Sequence, residues 1–314
     1  MTGLGERTEP AGDWVLFAPM RMEARALRRT LPAGVPLRRT GRGLSRATRA
    51  AAGYGDTSAL AVAGIAGGLD PALRPGDVVV ATEVRRDGRT GDERLPCPSA
   101  PMLAATLRRR GLRVHLGPVV SSDRLVDGAD RERLGATGAL AVDTESSALL
   151  AGPAERPTAC VRVIADVSPE PLFRAATLGR VATALRALAR VGPGLAEWAE
   201  ATAVEQVVLA APRSSRADLV LVLGSADSSD SIRLVEVARR AGTPAHLVDD
   251  VGAVDLRWLA GVRAVGVTAG TSAPPHLVEQ TVAALVGLGA RAVRERPTST
   301  EDVHFTLPKE IRPR

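Results

Sequence analysis

Three acidic side chains follow predicted strands in the first half of the chain. Glu23 lies in the first turn of a predicted helix, directly after a strand at Trp14–Ala18, and Glu145 and Asp166 follow two later strands. Open α/β sheets bind ligands in the crevice at the carboxyl ends of their strands. A single acid in such a place is most often a helix cap or a turn residue. Three of them together predict a site where carboxylates act on a small molecule.

A glycine-rich turn accompanies these acids. The segment GIAGGLD (residues 64–70) follows another predicted strand and is continued by LRPGDVV (residues 73–79). Adjacent glycines let the backbone approach a ligand closely, because no side chain stands in the way. Such a turn alone is weak evidence, but its combination with the three acids indicates a ligand site.

Short β-branched runs alternate with Ala/Leu/Arg-rich stretches, a pattern typical of α/β folds. In the first half we predict strands at Trp14–Ala18, Ser58–Ala63, Asp77–Thr82, Arg113–Val120, Ala139–Asp143 and Ala159–Ile164, and helices at Met22–Thr30, Ser45–Ala52, Ala100–Arg110 and Ala175–Arg190. The sequence pattern changes at Ala196, and the segment that begins there ends in a polar stretch, Ala211–Arg216, which we predict to be a linker. Beyond it we predict strands at Asp218–Leu223, Ala245–Asp249 and Ala264–Thr268, and helices at Ser229–Ala241 and Pro274–Leu288. We therefore expect two α/β domains, residues 1–199 with a mixed sheet and residues 200–314 with a small parallel sheet.

The composition is that of a globular protein. Hydrophobic residues make up 45% of the 314 residues and charged residues 24%, which argues against a disordered or fibrous class. No apolar run of about 18 residues occurs, so no membrane-spanning helix is expected. The polar N-terminus has no apolar segment of the kind that secretory signals contain, and the cytoplasm is therefore the expected location.

The net charge of +6 comes almost entirely from arginine, since Lys309 is the one lysine. Aromatic residues make up only 2% of the chain, and no basic run is interleaved with them. Nucleic-acid binding is therefore not expected. Cys97 and Cys160 lie far apart without CxxC spacing, and the four histidines are scattered. No metal site is expected from these residues.

The first half resembles the nucleoside phosphorylase/nucleosidase superfamily over residues 13–199, in particular its adenine-releasing nucleosidases. The most specific segment is GIAGGLDPALRPGDVVV (residues 64–80), supported by AVDTES (residues 141–146) and RVIADV (residues 162–167). The resemblance implies a three-layer sandwich around a mixed sheet. It also implies a role for each matching residue: water activation by Glu23, backbone contacts to purine and ribose from Ala66 and Gly67, binding of the ribose hydroxyls by Glu145, and protonation of purine N7 by Asp166.

These roles fit the cleavage of an N-glycosidic bond. The sugar becomes oxocarbenium-like, and adenine leaves as a neutral base only when its N7 is protonated. Asp166 must then hold a proton near pH 7, which requires desolvation or a neighbouring like charge. A positioned general acid contributes ~10²–10⁴ in rate. Hydrolase and phosphorylase both stay open, although a carboxylate at Glu23 favours water because it would repel incoming phosphate.

Two positions depart from the relatives that act on methylthioadenosine. Thr144 stands where those relatives carry a methionine that packs under the sugar, so we expect Thr144 to contact the substrate, and Ala165 replaces a serine that helps to hold the base. The segments EAR (residues 23–25) and RVIAD are closer to hopanoid-associated nucleosidases, which release adenine from adenosylhopane. We therefore expect an adenosylhopane-type substrate, with methylthioadenosine or S-adenosylhomocysteine as the alternative. A lipid substrate implies an apolar channel, with Phe173 on its rim, and contact with the membrane surface.

The second half resembles the C-terminal third of hydroxymethylbutenyl-diphosphate reductase (the LytB type) over residues 200–312. The matching segments are LVLVLGSADSSDSIRLVEVA (residues 219–238), VGVTAGTSAP (residues 265–274) and VHFTLPKE (residues 303–310). The diphosphate ligands of that family fall on Ser228, Ser229, Asp230 and Ser272. Asp230 replaces an asparagine, and a carboxylate ~4 Å from a phosphate costs about 4 kcal/mol at an effective dielectric near 20.

No cysteine follows residue 199, so the three thiolate ligands of the reductase's iron–sulfur cluster are missing. We expect a vestigial diphosphate site, no cofactor and no reductase activity. Two other function classes are compatible with parts of the sequence: a reductase-related protein of isoprenoid synthesis, and an interaction protein whose two domains have both decayed. The missing cysteines argue against the first, and the joint presence of Glu23, Glu145 and Asp166 argues against the second. The chain is therefore expected to be a homo-oligomeric nucleosidase with an accessory domain.

Overall fold

The computed structural model describes residues 13–87, 93–126, 128–166, 175–209, 217–270 and 273–295. Within these ranges the first half contains a mixed eight-stranded sheet and the second half a parallel five-stranded sheet. The predicted fold class, α/β in both halves with a mixed sheet followed by a parallel one, is confirmed.

The first half contains eight strands, six α-helices and a single-turn 3₁₀ helix at Ala52–Tyr54 among the described residues. The strands are Trp14–Ala18 (β1), Leu37–Arg39 (β2), Ala59–Gly68 (β3), Val78–Arg86 (β4), Arg94–Pro96 (β5), Val114–Ser121 (β6), Ala141–Asp143 (β7) and Thr158–Asp166 (β8). The helices are Arg21–Arg28 (α1), Leu44–Ala51 (α2), Ala100–Arg109 (α3), Gly128–Gly135 (α4), Ser146–Leu150 (α5) and Ala175–Ala201 (α6).

The first sheet closes on itself. Strand β3 pairs with β7 and β8, β8 also pairs with β4, and β6 joins β4 to β7, so five strands form a ring. Strands β1 and β2 extend the sheet from β3 as parallel neighbours. Strands β3 and β8 are buried along nearly their whole length. A charged group on these strands must therefore find its partners inside the protein.

Helix α1 brings Glu23 to the end of β1. Its periodic pattern turns Glu23, Ala26 and Leu27 inward and its arginines outward. The Met20 N–H donates to the Glu23 carboxylate (2.6 Å), which satisfies one of the free donors at the start of the helix. Helix α6 packs against α1, β3 and β8 and covers this side of the sheet.

The second half forms a small parallel sheet. Its strands are Gln206–Leu209 (β9), Leu219–Leu223 (β10), Ala245–Val248 (β11), Ala264–Ala269 (β12) and Ala292–Glu295 (β13), arranged in the order β11-β10-β12-β9-β13. Its helices are Ser229–Arg240 (α7) and Pro275–Val286 (α8), with two single-turn 3₁₀ helices at Val251–Ala253 and Leu256–Trp258.

The two halves share one hydrophobic core. Helix α6 continues to Ala201, so the expected boundary after residue 199 falls in its last turn. Near that end, the buried Trp198 indole N–H donates to Ser99 Oγ (3.0 Å). Arg109 donates to the carbonyl of Gly252 (3.2 Å), and the buried apolar residues of both halves form a continuous cluster.

The predicted long strands and helices are present with small shifts at their ends, but several elements were missed. The short elements β2, β5, β13, α4 and α5 were not predicted, and β9 lies where an irregular stretch was expected. Helix α6 ends at Ala201 rather than Arg190, although Gly192, Pro193 and Gly194 would normally break a helix. The two glycines allow close packing there, Gly192 against Leu31 and Gly194 against Leu107.

The linker expected at residues 211–216 lies outside the described residues. Among the described residues, no helix combines the length and apolar character that crossing a bilayer requires.

Candidate active site

Glu23 is a buried carboxylate held by backbone donors. The Met20 N–H donates to Oε2 (2.6 Å) and the Ile65 N–H to Oε1 (2.8 Å), so the group is fixed between β1 and β3. Burial raises the pKa of Glu23, and the charge of Arg162 and the two N–H donors only partly oppose this. A fixed carboxylate with a raised pKa is suited to take a proton from water.

Arg162 is a fully buried charge on β8. Its Nη2 lies 2.6 Å from Asp143 Oδ2, and its Nε and Nη2 donate to Ser146 Oγ (3.1 and 2.8 Å). Burial alone would lower the pKa of Arg162, but Asp143 and the neighbouring acids outweigh burial and raise the pKa above its ordinary value. The guanidinium therefore stays charged inside the ring, where it acts on Glu23.

Gly64 allows Arg162 and Glu23 to approach the same point of β3. A Cβ at this position would lie 2.5 Å from Arg162 Nη1 and 2.6 Å from Glu23 Oε1. Both distances are too short for real contacts, so any side chain here would displace one of the two groups. The glycine at the start of the GIAGGLD segment is thus explained by a close approach of side chains.

Glu145 lies at the start of α5 and is also buried. Its Oε1 accepts from the Gly43 N–H (2.8 Å) and from the hydroxyl of Thr144. The charge of Glu145 contributes to the raised pKa of Glu23, which shows that the two carboxylates interact. Thr144, expected to contact the substrate, contacts Glu145 directly in this structure.

Asp166 and the backbone of Ala66 and Gly67 form a second corner of the site. Strands β3 and β8 run parallel, and after an irregularity between Ala66 and Gly67 their register sets Gly67 opposite Asp166. A Cβ on Gly67 would lie 3.4 Å from Asp166 Oδ1. The carboxylate therefore lies against the backbone that was expected to line the purine.

Arg131 of α4 occupies this second corner. Its Nη2 lies 3.1 Å from Asp166 Oδ1 and its Nη1 3.4 Å from Oδ2, and a Cβ on Gly67 would collide with the same Nη2. A guanidinium can only donate hydrogen bonds, and it places one on each oxygen of the Asp166 carboxyl group. The role of general acid expected for Asp166 therefore requires that Arg131 withdraw.

Five residues predicted for the site thus lie near the ends of β1, β3, β7 and β8. They are Glu23, Ala66, Gly67, Glu145 and Asp166. Phe173, expected at the rim, lies outside the described residues.

Several side chains of the site were not singled out from the sequence. Arg162 and Asp143 stand inside otherwise apolar strands, and a charge in a buried strand could have signalled them. Nothing in the sequence signalled Arg131 or the Gly43 N–H, because both reach the site through tertiary packing.

In the second half, the residues matching a diphosphate site surround the start of α7. Ser228 caps this helix and its Oγ accepts from the Ser231 N–H (3.3 Å). Ser229 and Asp230 are exposed in the first turn, where an acid stabilises the helix dipole without any ligand. Ser272 lies outside the described residues.

The residues of the chain do not fit the iron–sulfur cluster that the LytB resemblance implies. Residues 200–314 contain no cysteine, whereas Cys97 and Cys160 are buried in the first half. Burial raises the pKa of Cys97 to about 12 and that of Cys160 to about 11. Clusters of this kind are held by several cysteine thiolates, so two buried cysteines in the other half of the chain do not fit.

Two family models match the chain. The model of the phosphorylase superfamily matches residues 39–192, a range that contains Glu145, Arg162 and Asp166 but begins after Glu23. The model of the LytB protein family matches residues 180–286. The two ranges overlap within α6.

Solved nucleosidase structures share the fold of the first half. The 5′-methylthioadenosine/S-adenosylhomocysteine nucleosidase of Neisseria meningitidis, in complex with methylthio-immucillin-A, is 20% identical, with a TM-score of 0.50 over 58% of this chain and 97% of that chain. The corresponding nucleosidase of Campylobacter jejuni is 15% identical, with a TM-score of 0.51 over 59% and 99%. Futalosine hydrolase of Helicobacter pylori is 13% identical, with a TM-score of 0.50 over 59% and 97%. At these identities the likeness shows the fold alone.

Curated relatives match about a third of the chain. 4-Hydroxy-3-methylbut-2-enyl diphosphate reductase 2 of Mycobacterium bovis is 53% identical over 95 residues, which are 30% of this chain and 29% of that protein. The reductase of Actinobacillus succinogenes is 48% identical over 99 residues, 32% of each chain. The chain thus spans less than a third of the length of these relatives. It combines a domain matched by the phosphorylase superfamily over residues 39–192 with a domain matched by the LytB protein family over residues 180–286.

Proposed function

We propose that the chain cleaves the N-glycosidic bond of an adenosyl substrate and releases adenine, with an adenosylhopane-type lipid as the substrate. The observation that carries the proposal is the buried Glu23 carboxylate, held by two backbone donors beside Arg162 in a nucleosidase-type fold. Such a group is costly to bury and contributes little to stability. Its retention is explained if it acts on a reactant.

The proposed reaction uses one proton acceptor and one proton donor. Glu23 takes a proton from water as the water oxygen forms a bond to C1′ of the ribose. The bond from C1′ to the purine N9 breaks, and Asp166 supplies the proton that N7 needs to leave as neutral adenine. Glu145 holds the ribose hydroxyls through charge-assisted hydrogen bonds.

Arg131 occupies the side of Asp166 that faces Gly67. General-acid catalysis needs the carboxyl group of Asp166 to reach purine N7 from this side. An adenine ring entering between Gly67 and Asp166 would occupy the space of the guanidinium. We therefore propose that base binding and the withdrawal of Arg131 occur together.

Water is the proposed nucleophile. A carboxylate repels phosphate at close range, and Glu23 lies where the attacking group would approach. Arg162 offsets this repulsion only in part, because Asp143 pairs with the same guanidinium.

The LytB-type half is proposed to be a structural domain. Its apolar core is continuous with that of the first half, and its residues fit neither the cluster nor a diphosphate bound beside Asp230. Reductase activity is not proposed.

Adenine release by the purified full chain tests the proposal. We would offer adenosylhopane in detergent and, separately, methylthioadenosine, each with and without phosphate, and identify the sugar product by mass spectrometry. Free ribosyl product without phosphate is expected, with adenosylhopane the better substrate. A ribose 1-phosphate product would instead indicate a phosphorylase, and adenine release from methylthioadenosine alone would indicate the alternative substrate. No adenine from any of these substrates would contradict the proposal.

A further inference from the structure

The positive charge of the protein is concentrated in one short segment. Residues 19–49 contain nine arginines and a single acid, a net charge of +8, whereas the whole chain carries +6. The remainder of the chain is therefore slightly negative, at −2. The overall arginine content of the chain does not explain this local excess of positive charge, which therefore marks a distinct basic region.

Six of the nine arginines line two adjoining grooves, and we call these six the arginine surface. All nine side chains are solvent-exposed, and within the described parts of the chain none lies within ion-pair distance of a carboxylate. The one acid of the segment, Glu23, points inward and is 1% exposed. The members of the arginine surface are Arg21, Arg25, Arg29, Arg39, Arg42 and Arg46, and the other three arginines of the segment are Arg28, Arg38 and Arg49.

The six members of the arginine surface are divided between the two grooves. Arg21, Arg25 and Arg29 of α1 line the first groove together with Leu185 of α6. Arg39, Arg42 and Arg46 line the second groove, which meets the first at Arg21 and Met22. The shape is therefore a continuous basic surface, wider than a single phosphate ion requires.

Exposed apolar side chains lie among these charges. Met22 is 47% exposed where the two grooves meet, and Leu178 is 76% exposed. Leu178 lies two turns before Leu185 and therefore on the same face of α6. Large apolar side chains beside arginines are typical of surfaces that lie at the boundary of a lipid bilayer.

The arginine surface borders the candidate active site. The loop that begins at Pro19 lines the second groove and also supplies the Met20 N–H to Glu23. The loop at Gly41 lines the same groove and leads to the Gly43 N–H that donates to Glu145. A partner bound at this surface would therefore lie next to the two buried carboxylates.

We propose that the arginine surface docks the protein on an anionic membrane surface and so presents the active site to a substrate held in the bilayer. The choice of a membrane rests on the proposed function, in which the substrate is a lipid. Clusters of four to eight basic residues on an amphipathic helix are typical of binding to anionic lipids. Residues 19–49 contain no aromatic side chain on which bases of a nucleic acid could stack.

Sedimentation of the full chain with lipid vesicles tests the docking. We would compare pure phosphatidylcholine with a two-to-one mixture of phosphatidylcholine and phosphatidylglycerol. Binding is expected only to the mixture, and it should be lost when the salt is raised from about 0.1 to about 1 M, where the Debye length falls to ~3 Å. The triple variant Arg25→Gln, Arg29→Gln, Arg46→Gln should bind about a hundredfold more weakly, since each arginine near a charged membrane contributes about fivefold.

A matched variant controls for net charge. Arg233→Gln, Arg291→Gln, Arg294→Gln removes three exposed arginines of the LytB-type half and should bind vesicles like the wild type. Equal binding by both triple variants would overturn the proposal, as would equal binding to the two kinds of vesicle. Tighter binding to an RNA oligonucleotide at the same salt, or loss of vesicle binding in inorganic phosphate at constant ionic strength, would assign the surface to another ligand and also overturn it.

Enzyme assays separate this inference from the proposed function. The Arg25, Arg29, Arg46 variant should release adenine from water-soluble methylthioadenosine or detergent-dispersed adenosylhopane at the wild-type rate, but more slowly from adenosylhopane in anionic vesicles. If the wild type binds anionic vesicles through these arginines yet releases no adenine, the proposed function fails while the docking stands. If adenine is released equally from vesicles by both proteins, the docking fails while the function stands.

Discussion

The Arg131 guanidinium lies 3.1 Å from Asp166 Oδ1, in the corner where Asp166 meets the backbone of Gly67. The two side chains are 11% and 17% exposed, so the pair is only weakly screened by solvent. Asp166 is thus engaged by a permanent donor before any base arrives. The free protein and the protein poised for catalysis must therefore differ at this contact.

Replacing Arg131 should increase adenine release. In Arg131→Gln the adenine ring of the substrate no longer has to displace an ion pair from Asp166. We expect kcat/KM to rise about tenfold, because such a pair stabilises the substrate-free protein by ~1.4 kcal/mol. Arg133→Gln removes a neighbouring arginine that pairs with Asp87 and should leave the rate unchanged. A large loss of rate in Arg131→Gln would mean that the arginine takes part in catalysis.

Replacing Asp166 should remove the general acid. We expect Asp166→Asn to lower the rate of adenine release by ~10²-fold or more, because the amide cannot supply a proton to N7. The circular dichroism spectrum should stay close to that of the wild type, since Asp166 lies at the end of its strand, and the loss of the Arg131 ion pair should lower the thermal midpoint by only a few degrees. A variant that kept more than about a tenth of the rate would contradict the assignment.

Glu23 should give the enzyme a characteristic pH dependence. The ionised carboxylate takes the proton from water, and burial raises its pKa, so kcat/KM should increase with pH through a midpoint above 4.5, the ordinary value for glutamate. Glu23→Gln should lower the rate as strongly as Asp166→Asn while leaving substrate binding nearly unchanged. An ascending limb centred at or below the ordinary value would show that Glu23 is not the base.

The same shift has a consequence for stability. A raised pKa means that the folded protein binds the proton of Glu23 more tightly than the unfolded chain does. The contribution of this protonated side chain to the free energy of unfolding is therefore complete below pH 4.5 and is lost as the pH rises through the raised pKa. The glutamine in Glu23→Gln carries no charge at any pH, so the variant does not lose stability as the pH rises. Its free energy of unfolding should therefore increase relative to that of the wild type over this pH range. Urea unfolding at several pH values measures the difference, and Glu155→Gln at an exposed site should show none.

The strand-end acids could be predicted from the sequence because their signal is local. Glu23, Glu145 and Asp166 each follow a β-branched or alanine-rich run, and such short runs between turn residues are the local pattern that predicts buried strands. The Arg131 contact is of another kind, since α4 is a short helix whose position depends on the whole sheet. The closure of the first sheet into a ring could not be predicted from the sequence either, because the pairing of β4 with β8 arises from sheet curvature rather than from any local pattern.

Adding one methyl group at Gly64 should disable the site. In Gly64→Ala the new Cβ would lie 2.5 Å from Arg162 Nη1 and 2.6 Å from Glu23 Oε1, and a displacement of about 1 Å at a catalytic group costs ~10² in rate. Gly53→Ala is the matched control, because a Cβ at Gly53 meets nothing within 4 Å. Wild-type activity in Gly64→Ala would show that Glu23 tolerates displacement.

The two cysteines should be inert in the folded protein. With pKa values of about 12 and about 11, Cys97 and Cys160 are protonated at neutral pH and shielded from reagents. A disulfide reagent should therefore titrate no thiol until guanidinium chloride unfolds the chain, and protein purified without oxygen should show no iron–sulfur absorption. Rapid labelling of the native protein, or a brown iron-containing preparation, would contradict this.

Helix α6 is shared by the two halves of the chain, so they cannot be separated without damage to one of them. It starts on the ring of the first half and ends with Trp198 buried against Ser99, and both family matches use the same stretch of it. A gene split at the boundary of either match would cut this helix or leave one fragment with an exposed apolar surface. The two halves are therefore expected to fold as one unit, because the same helix belongs to the apolar core of both.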